Sequence, residues 1–131
     1  MFNPQKSSTY QTMSGSTWKI SYGDNSSASG DVGTDNVTVG GLTIKQQAVE
    51  LAKEMSTEFQ QGTGDGLMGL AFGQINTVQP HPVKTPVENM IAQDDIPADM
   101  EVFTAYLTSH KSNETPFYTF GFIDQVCVWS S

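Results

Sequence analysis

The sequence predicts a mainly β chain with one short helix near residues 85–93, and three observations carry that expectation. Thr17-Trp18-Lys19-Ile20-Ser21-Tyr22 alternates large and polar side chains, the period-two pattern of a half-buried strand. Glycines and short polar runs punctuate the chain at hairpin spacing, as at Gly40-Gly41. A helix start is written at Thr85-Pro86-Val87-Glu88, with a threonine cap, proline at the first helical position and glutamate three residues after the cap.

The strand at 17–22 leads into a turn-rich tip over residues 23–29. Val32, Val37 and Val39, with Thr34 and Thr38 between them, restart an alternating strand. Gly40-Gly41 closes a tight hairpin, because glycine reaches positive φ at little cost. Leu42, Ile44 and Ala48-Val49-Glu50-Leu51-Ala52 continue as strand, and the polar residues 53–64 are expected to be loop. Asp65-Gly66-Leu67-Met68-Gly69-Leu70-Ala71-Phe72 is short and apolar, which suits a buried strand with close backbone approaches at its glycines. The helix presents Val87, Met90 and Ile91 on one face. Val102-Phe103-Thr104-Ala105-Tyr106-Leu107 and Phe117-Tyr118-Thr119-Phe120-Gly121-Phe122-Ile123 form the last two strands, and the polar stretch between them implies an antiparallel hairpin. No repeat and no linker divides residues 1–131, so a single unit is expected.

Composition narrows the function classes. With 14 acidic and 6 basic residues the net charge is −8, which repels phosphate backbones and argues against nucleic-acid binding. That balance suits either plain solubility or acidic surroundings, where protonated carboxylates repel one another less. No apolar run approaches a membrane span, and Met1-Phe2-Asn3-Pro4-Gln5-Lys6 lacks the apolar core of a signal peptide. Cys127 is the sole cysteine, which excludes an internal disulfide. With only His81 and His110 beside it, no metal site of the Cys/His kind is expected either. Gln125-Val126-Cys127-Val128-Trp129 offers nothing that would activate the thiol, and His110 and Lys111 read as solvated loop residues.

Six segments in order resemble one family. They are Phe2-Asn3-Pro4 with Ser7-Ser8-Thr9-Tyr10, then Trp18-Lys19-Ile20-Ser21-Tyr22-Gly23-Asp24 with Ser27-Ala28-Ser29-Gly30, then Val37-Thr38-Val39-Gly40-Gly41. Asp65-Gly66-Leu67-Met68-Gly69-Leu70-Ala71-Phe72, Ile75-Asn76-Thr77-Val78-Gln79-Pro80 and Phe120-Gly121-Phe122-Ile123-Asp124 complete the set. Spanning residues 2–124, they resemble the pepsin-like aspartic proteases, in particular the fungal penicillopepsin and aspergillopepsin type.

The resemblance implies two β-rich lobes around a cleft, each giving one aspartate from a D-T-G or D-S-G loop. Two close carboxylates cannot both ionise, so they share a proton. One then acts as base on a water while the other acts as acid toward the peptide carbonyl. The substrate class implied is peptide or protein at acidic pH, with no metal and no cofactor, in a family that is secreted to the extracellular space or vacuole. Tyr22, Gly23 and Asp24 fall on the family's flap, where the tyrosine ring covers bound substrate and the other two hydrogen-bond an extended peptide. Phe59 and Leu67 fall on walls of the primary specificity pocket, with plain core packing as the competing reading. Ser26, Ser27 and Ser29 read as turn formers, and Asp65 as a structural hydrogen-bonding residue at a strand start. Asn25, Asn36 and Asn113 each head an N-glycosylation sequon, which matters only in the secretory pathway.

No D-T-G or D-S-G occurs in the 131 residues, so no catalytic residue is assigned. The chain is expected to be the flap-bearing part of the N-terminal lobe, a truncated homologue inactive alone, with a divergent tail over 125–131. Uncovered sheet edges and apolar faces imply self-association. The alternative is a non-catalytic secreted binding, decoy or host-sensed protein, because function belongs to sites rather than folds.

Overall fold

The structure, a computed structural model, describes residues 2–128; Met1 and residues 129–131, the end of the tail expected to diverge, lie outside the described residues. Asn3 caps a 3-10 turn at Pro4–Lys6 by accepting the Gln5 N–H at 3.0 Å. Three long strands follow, β1 (Gln11–Ser21), β2 (Ser27–Val39) and β3 (Leu42–Met55), antiparallel in the order β1-β2-β3. Each outruns its hydrophobic alternation, because the ladder recruits polar residues such as Gln11, Thr12 and Gln47 through their backbones. The tip between β1 and β2 is correspondingly tighter than 23–29. Ser27 and Ser29 are strand residues, and of the three serines only Ser26 stays in the turn. Gly40 and Gly41 close the second hairpin at φ 54° and 84°, as their pairing implies.

Two expectations fail between residues 53 and 72. β3 runs on to Met55, and a one-turn helix α1 (Thr57–Gln60) replaces loop. The polarity there belongs to a solvent-facing strand end, where Lys53 pairs with Asp31. The apolar run 65–72 forms no strand among the described residues and is exposed from 65 to 69, with Leu67 74% and Phe72 81% exposed. No described strand pairs with it, and nothing stands within 4 Å of a Cβ built on Gly66 or Gly69.

Helix α2 (Pro86–Ala92) forms where its start signals place it, with both arms of the capping box present. Its Met90 joins Ile44 and Ile96 in one buried cluster, flanked by Val39, Leu42, Ile91 and Phe120. Full burial of Met90 or Ile44 contributes about 1.5–3 kcal/mol each. At the C-terminal end of α2, Gln93 accepts the Lys45 N–H at 2.9 Å and donates to the Lys45 carbonyl at 2.8 Å. The amide thereby occupies the outer edge of β3 as a neighbouring strand would.

A second cluster, Trp18, Val32 and Val78, lies on the main sheet, with Met13, Ile20, Ala28, Ala48, Ala52 and Val83 around it. Val78 arrives on residues 76–83, which dock on β1 where Thr17 and Gln79 exchange backbone hydrogen bonds of 3.0 and 2.8 Å. The N-terminal segment is tied down by Asp35, buried in β2, which accepts from the Thr9 hydroxyl and from the Asn36 N–H. The Thr9 hydroxyl, then that of Ser7, holds the Asp35 carboxyl below its ordinary value. The expected hairpin follows, β4 (Phe103–Tyr106) against β5 (Phe117–Phe120), with β4 one residue shorter at each end and β5 starting as expected but stopping three residues early. Tyr106 stacks on Phe117 at 5.2 Å, and Cys127 sits partly buried with Sγ 3.7 Å from the Thr104 hydroxyl.

Candidate functional site

The β1–β2 hairpin tip is built by backbone turns that its sequence encodes. Tyr22 N–H donates to the Ser26 carbonyl at 2.9 Å, and Asn25 N–H donates to the Tyr22 carbonyl at 3.0 Å. Asn25 takes φ 67°, a left-handed conformation that asparagine tolerates better than most residues. Asp24 Oδ1 accepts both the Ser26 N–H at 3.0 Å and the Ser26 hydroxyl at 2.6 Å, the self-bonding turn typical of aspartate. The Ser26 hydroxyl, then its N–H, holds the Asp24 carboxyl below the ordinary value, so it stays ionised into acid.

Helix α1 meets this tip. The Ser27 carbonyl accepts the Ser56 N–H at 2.9 Å, and Ser56 Oγ accepts the Ser27 N–H at 3.2 Å. Ser56 stands at the N-cap of α1, so this double tie sets Phe59 beside the hairpin. The rings of Tyr22 and Phe59 meet edge to face at 5.6 Å and 64°. That geometry favours the pair beyond simple burial. Glu58, one residue before Phe59, is held ionised chiefly by the Ser56 hydroxyl, while the Asp24 charge pushes against it. The Tyr22–Phe59 pair thus has Asp24 and Glu58 as near neighbours in the chain, both carboxyls held below their ordinary values. Carboxyls with depressed pKa values are weak bases, so neither Asp24 nor Glu58 is suited to take up a proton near neutral pH.

The structure brings Tyr22 and Phe59 together, while Gly23 and Asp24 are exposed on the tip beyond Tyr22. Leu67 is apart from both core clusters in the exposed 65–72 segment, and Asp65 sits in irregular backbone there rather than at a strand start. The depression just below the hairpin tip, about 270 Å³, is walled by Lys19, residues 27–29 and residues 54–56, without Phe59 or Leu67. Asn25 is exposed on the tip and Asn113 in the β4–β5 connection. Asn36 is exposed too, but its Oδ1 accepts the Gln46 N–H at 3.3 Å across a bulge. Sequence reasoning missed Ser56 and Glu58. The signal was present as a helix start, a serine followed by an acid in the first turn, hidden by its brevity.

Residues 1–128 match the family described as eukaryotic aspartyl protease. Endothiapepsin from Cryphonectria parasitica is 52% identical over 132 residues, covering 100% of this chain and 30% of that protein. Rhizopuspepsin-3 from Rhizopus niveus is 50% identical over 94% of the chain and 30% of its own length. Aspergillopepsin-1 from Aspergillus oryzae is 50% identical over 89% of the chain and 28% of its own length. Among solved structures, the aspartic proteinase from Irpex lacteus superposes with a TM-score of 0.80 at 28% identity, covering 96% of this chain and 37% of that one. The chain thus spans about three-tenths of the curated relatives that it matches. It belongs to the eukaryotic aspartyl protease family.

Proposed function

We propose that residues 2–124 form the flap-bearing part of the N-terminal lobe of a secreted pepsin-like endopeptidase, which cleaves peptide bonds at acidic pH through two aspartates and a water. The Tyr22–Phe59 contact, fixed by the Ser27–Ser56 tie and flanked by Asp24 and Glu58, carries this reading. An apolar ledge beside hydrogen-bonding groups is what an extended peptide needs for anchoring and orientation. Tyr22 covers the bound peptide in this reading, Gly23 and Asp24 hydrogen-bond it, and Phe59 with Leu67 faces an apolar side chain.

In the same reading the 131 residues alone do not hydrolyse protein, because neither D-T-G nor D-S-G occurs in them. The purified chain should release no peptides from denatured haemoglobin at about pH 3.5, with or without pepstatin. Pepstatin-sensitive release would overturn the inactive reading. The coding sequence adjoining this stretch checks the lobe assignment separately: a D-T-G upstream is expected, and its absence would remove that assignment.

Self-association belongs to the same reading. Leu67, Phe72, Ile75 and Leu107 are each more than 70% exposed, large apolar side chains that contact with a second copy would cover. Size-exclusion chromatography should place the chain above its 14.2 kDa monomer mass, and elution at that mass would count against association.

A further inference from the structure

β3 carries a carboxylate in the row of the main sheet that packs on the Trp18–Val32–Val78 cluster. The register sets Glu50 opposite Val32, and alternation puts it in one row with Ala48 and Ala52, which pack on the Trp18–Val32–Val78 cluster. Residues 76–83 lie over this cluster through Val78 and Val83. One side chain ties that strap to Glu50. Asn76 Nδ2 donates to Glu50 Oε1 at 3.2 Å, while Asn76 Oδ1 accepts the N–H groups of Val78 at 3.1 Å and Val83 at 3.0 Å. A single amide therefore holds both arms of the strap and rests on the carboxylate.

The charges on neighbouring elements are otherwise engaged or directed away. Lys53 pairs with Asp31, which alternation puts on the opposite face of β2 from Val32, and Lys19 alternates away from Trp18 on β1. His81 and Lys84 on the strap side are exposed, and Glu88 of α2 is bound to Thr85 and Gly73. Burial raises Glu50 above its ordinary value, with the Asn76 amide working against the rise.

We propose that residues 76–83 form an acid-closed strap: with Glu50 neutral it lies shut over Trp18 and Val32, and the Glu50 charge favours an opened form in which the carboxylate meets water. The closed form binds the proton more tightly than the open one. Opening therefore becomes easier as pH rises from the ordinary carboxylate value through the raised one, and harder as pH falls back. The strap goes beyond the protease reading and stands whether or not that reading holds.

Amide exchange on the full chain tests it, corrected for intrinsic rates, at about pH 4 and about pH 7. The strap-held amides of Thr17, Val78, Gln79 and Val83 should be better protected at the lower pH, by on the order of threefold or more, while β2–β3 amides around Thr34 and Ala48 keep their protection. Glu50→Gln should leave the strap equally protected at both pH values, and His81→Asn should keep the wild-type response. The proposal fails if the wild type shows no difference, if Glu50→Gln retains it, if His81→Asn abolishes it, or if β2–β3 amides change as much as the strap.

Discussion

Gly30→Ala should cost this fold on the order of 3 kcal/mol and lower its melting temperature by about 10 °C. The register sets Gly30 beside Trp18 on β1 and Ala52 on β3, next to a point where the β2–β3 pairing shifts by one residue. There the Trp18 indole N–H crosses over Gly30 to reach the Leu51 carbonyl, at 3.4 Å. A Cβ on Gly30 would stand 1.9 Å from the Leu51 carbonyl oxygen and 2.9 Å from Lys53 N, both backbone atoms that no rotamer change can move. Relief requires prising β3 from β2 in the longest ladder of the molecule, or expelling Trp18 from its cluster. Gly66→Ala is the control, since nothing lies within 4 Å of its Cβ position, and it should stay within about 0.5 kcal/mol of wild type. Thermal or urea unfolding of both variants decides the matter. Equal stability of Gly30→Ala and Gly66→Ala would show that the β2–β3 shift absorbs a side chain and that the crossing is not tight.

That crossing shows what the sequence could and could not disclose. Alternation at 17–22 revealed β1, and Thr85-Pro86-Val87-Glu88 revealed α2, because each signal is local: a period, or a cap with its partner three residues on. Gly30 stood out only as the end of the Ser27-Ala28-Ser29-Gly30 resemblance, just past the expected tip. Its role depends on Leu51, twenty-one positions later, whose carbonyl reaches it only through the register. The same limit separated Tyr22 from its surroundings. The resemblance placed Tyr22, Gly23 and Asp24 on a hairpin tip, and the backbone turns there follow from Asn25 and Asp24 themselves. Phe59 could be named from the resemblance, but the Ser27–Ser56 tie that carries it to Tyr22 is a contact between distant residues. The run 65–72 failed for the converse reason. Its apolarity is real, but apolarity specifies only a need for cover, and no described strand supplies it.

Glu88→Ala should destabilise the chain by about 2–3 kcal/mol at neutral pH, after allowing for the solvent that reaches the carboxylate. Glu88 Oε2 accepts the Thr85 N–H at 3.0 Å as half of the capping box, while Oε1 accepts the Gly73 N–H at 2.9 Å from the exposed segment before the strap. Alanine would strand both donors and cut α2 loose from residues 72–75 together. Those two N–H groups, Thr85 first, hold the Glu88 carboxyl below its ordinary value. A depressed carboxyl contributes stability that is present above its unfolded value and lost as pH falls through its folded one. Glu88→Gln keeps the size and one acceptor oxygen but turns an NH₂ group on the second donor. It should therefore be less damaging than alanine, and its deficit against wild type should shrink on acidification below the unfolded carboxyl value. Glu50→Gln should show the opposite trend, matching or exceeding wild type at neutral pH and losing that margin in acid, since burial raises Glu50. Unfolding curves for both glutamine variants between about pH 3 and about pH 7 separate the two carboxylates. A Glu88→Gln deficit that stays flat across that range would mean the carboxylate charge contributes nothing at this cap. The link between α2 and residues 72–75 would then rest on shape and neutral hydrogen bonding alone.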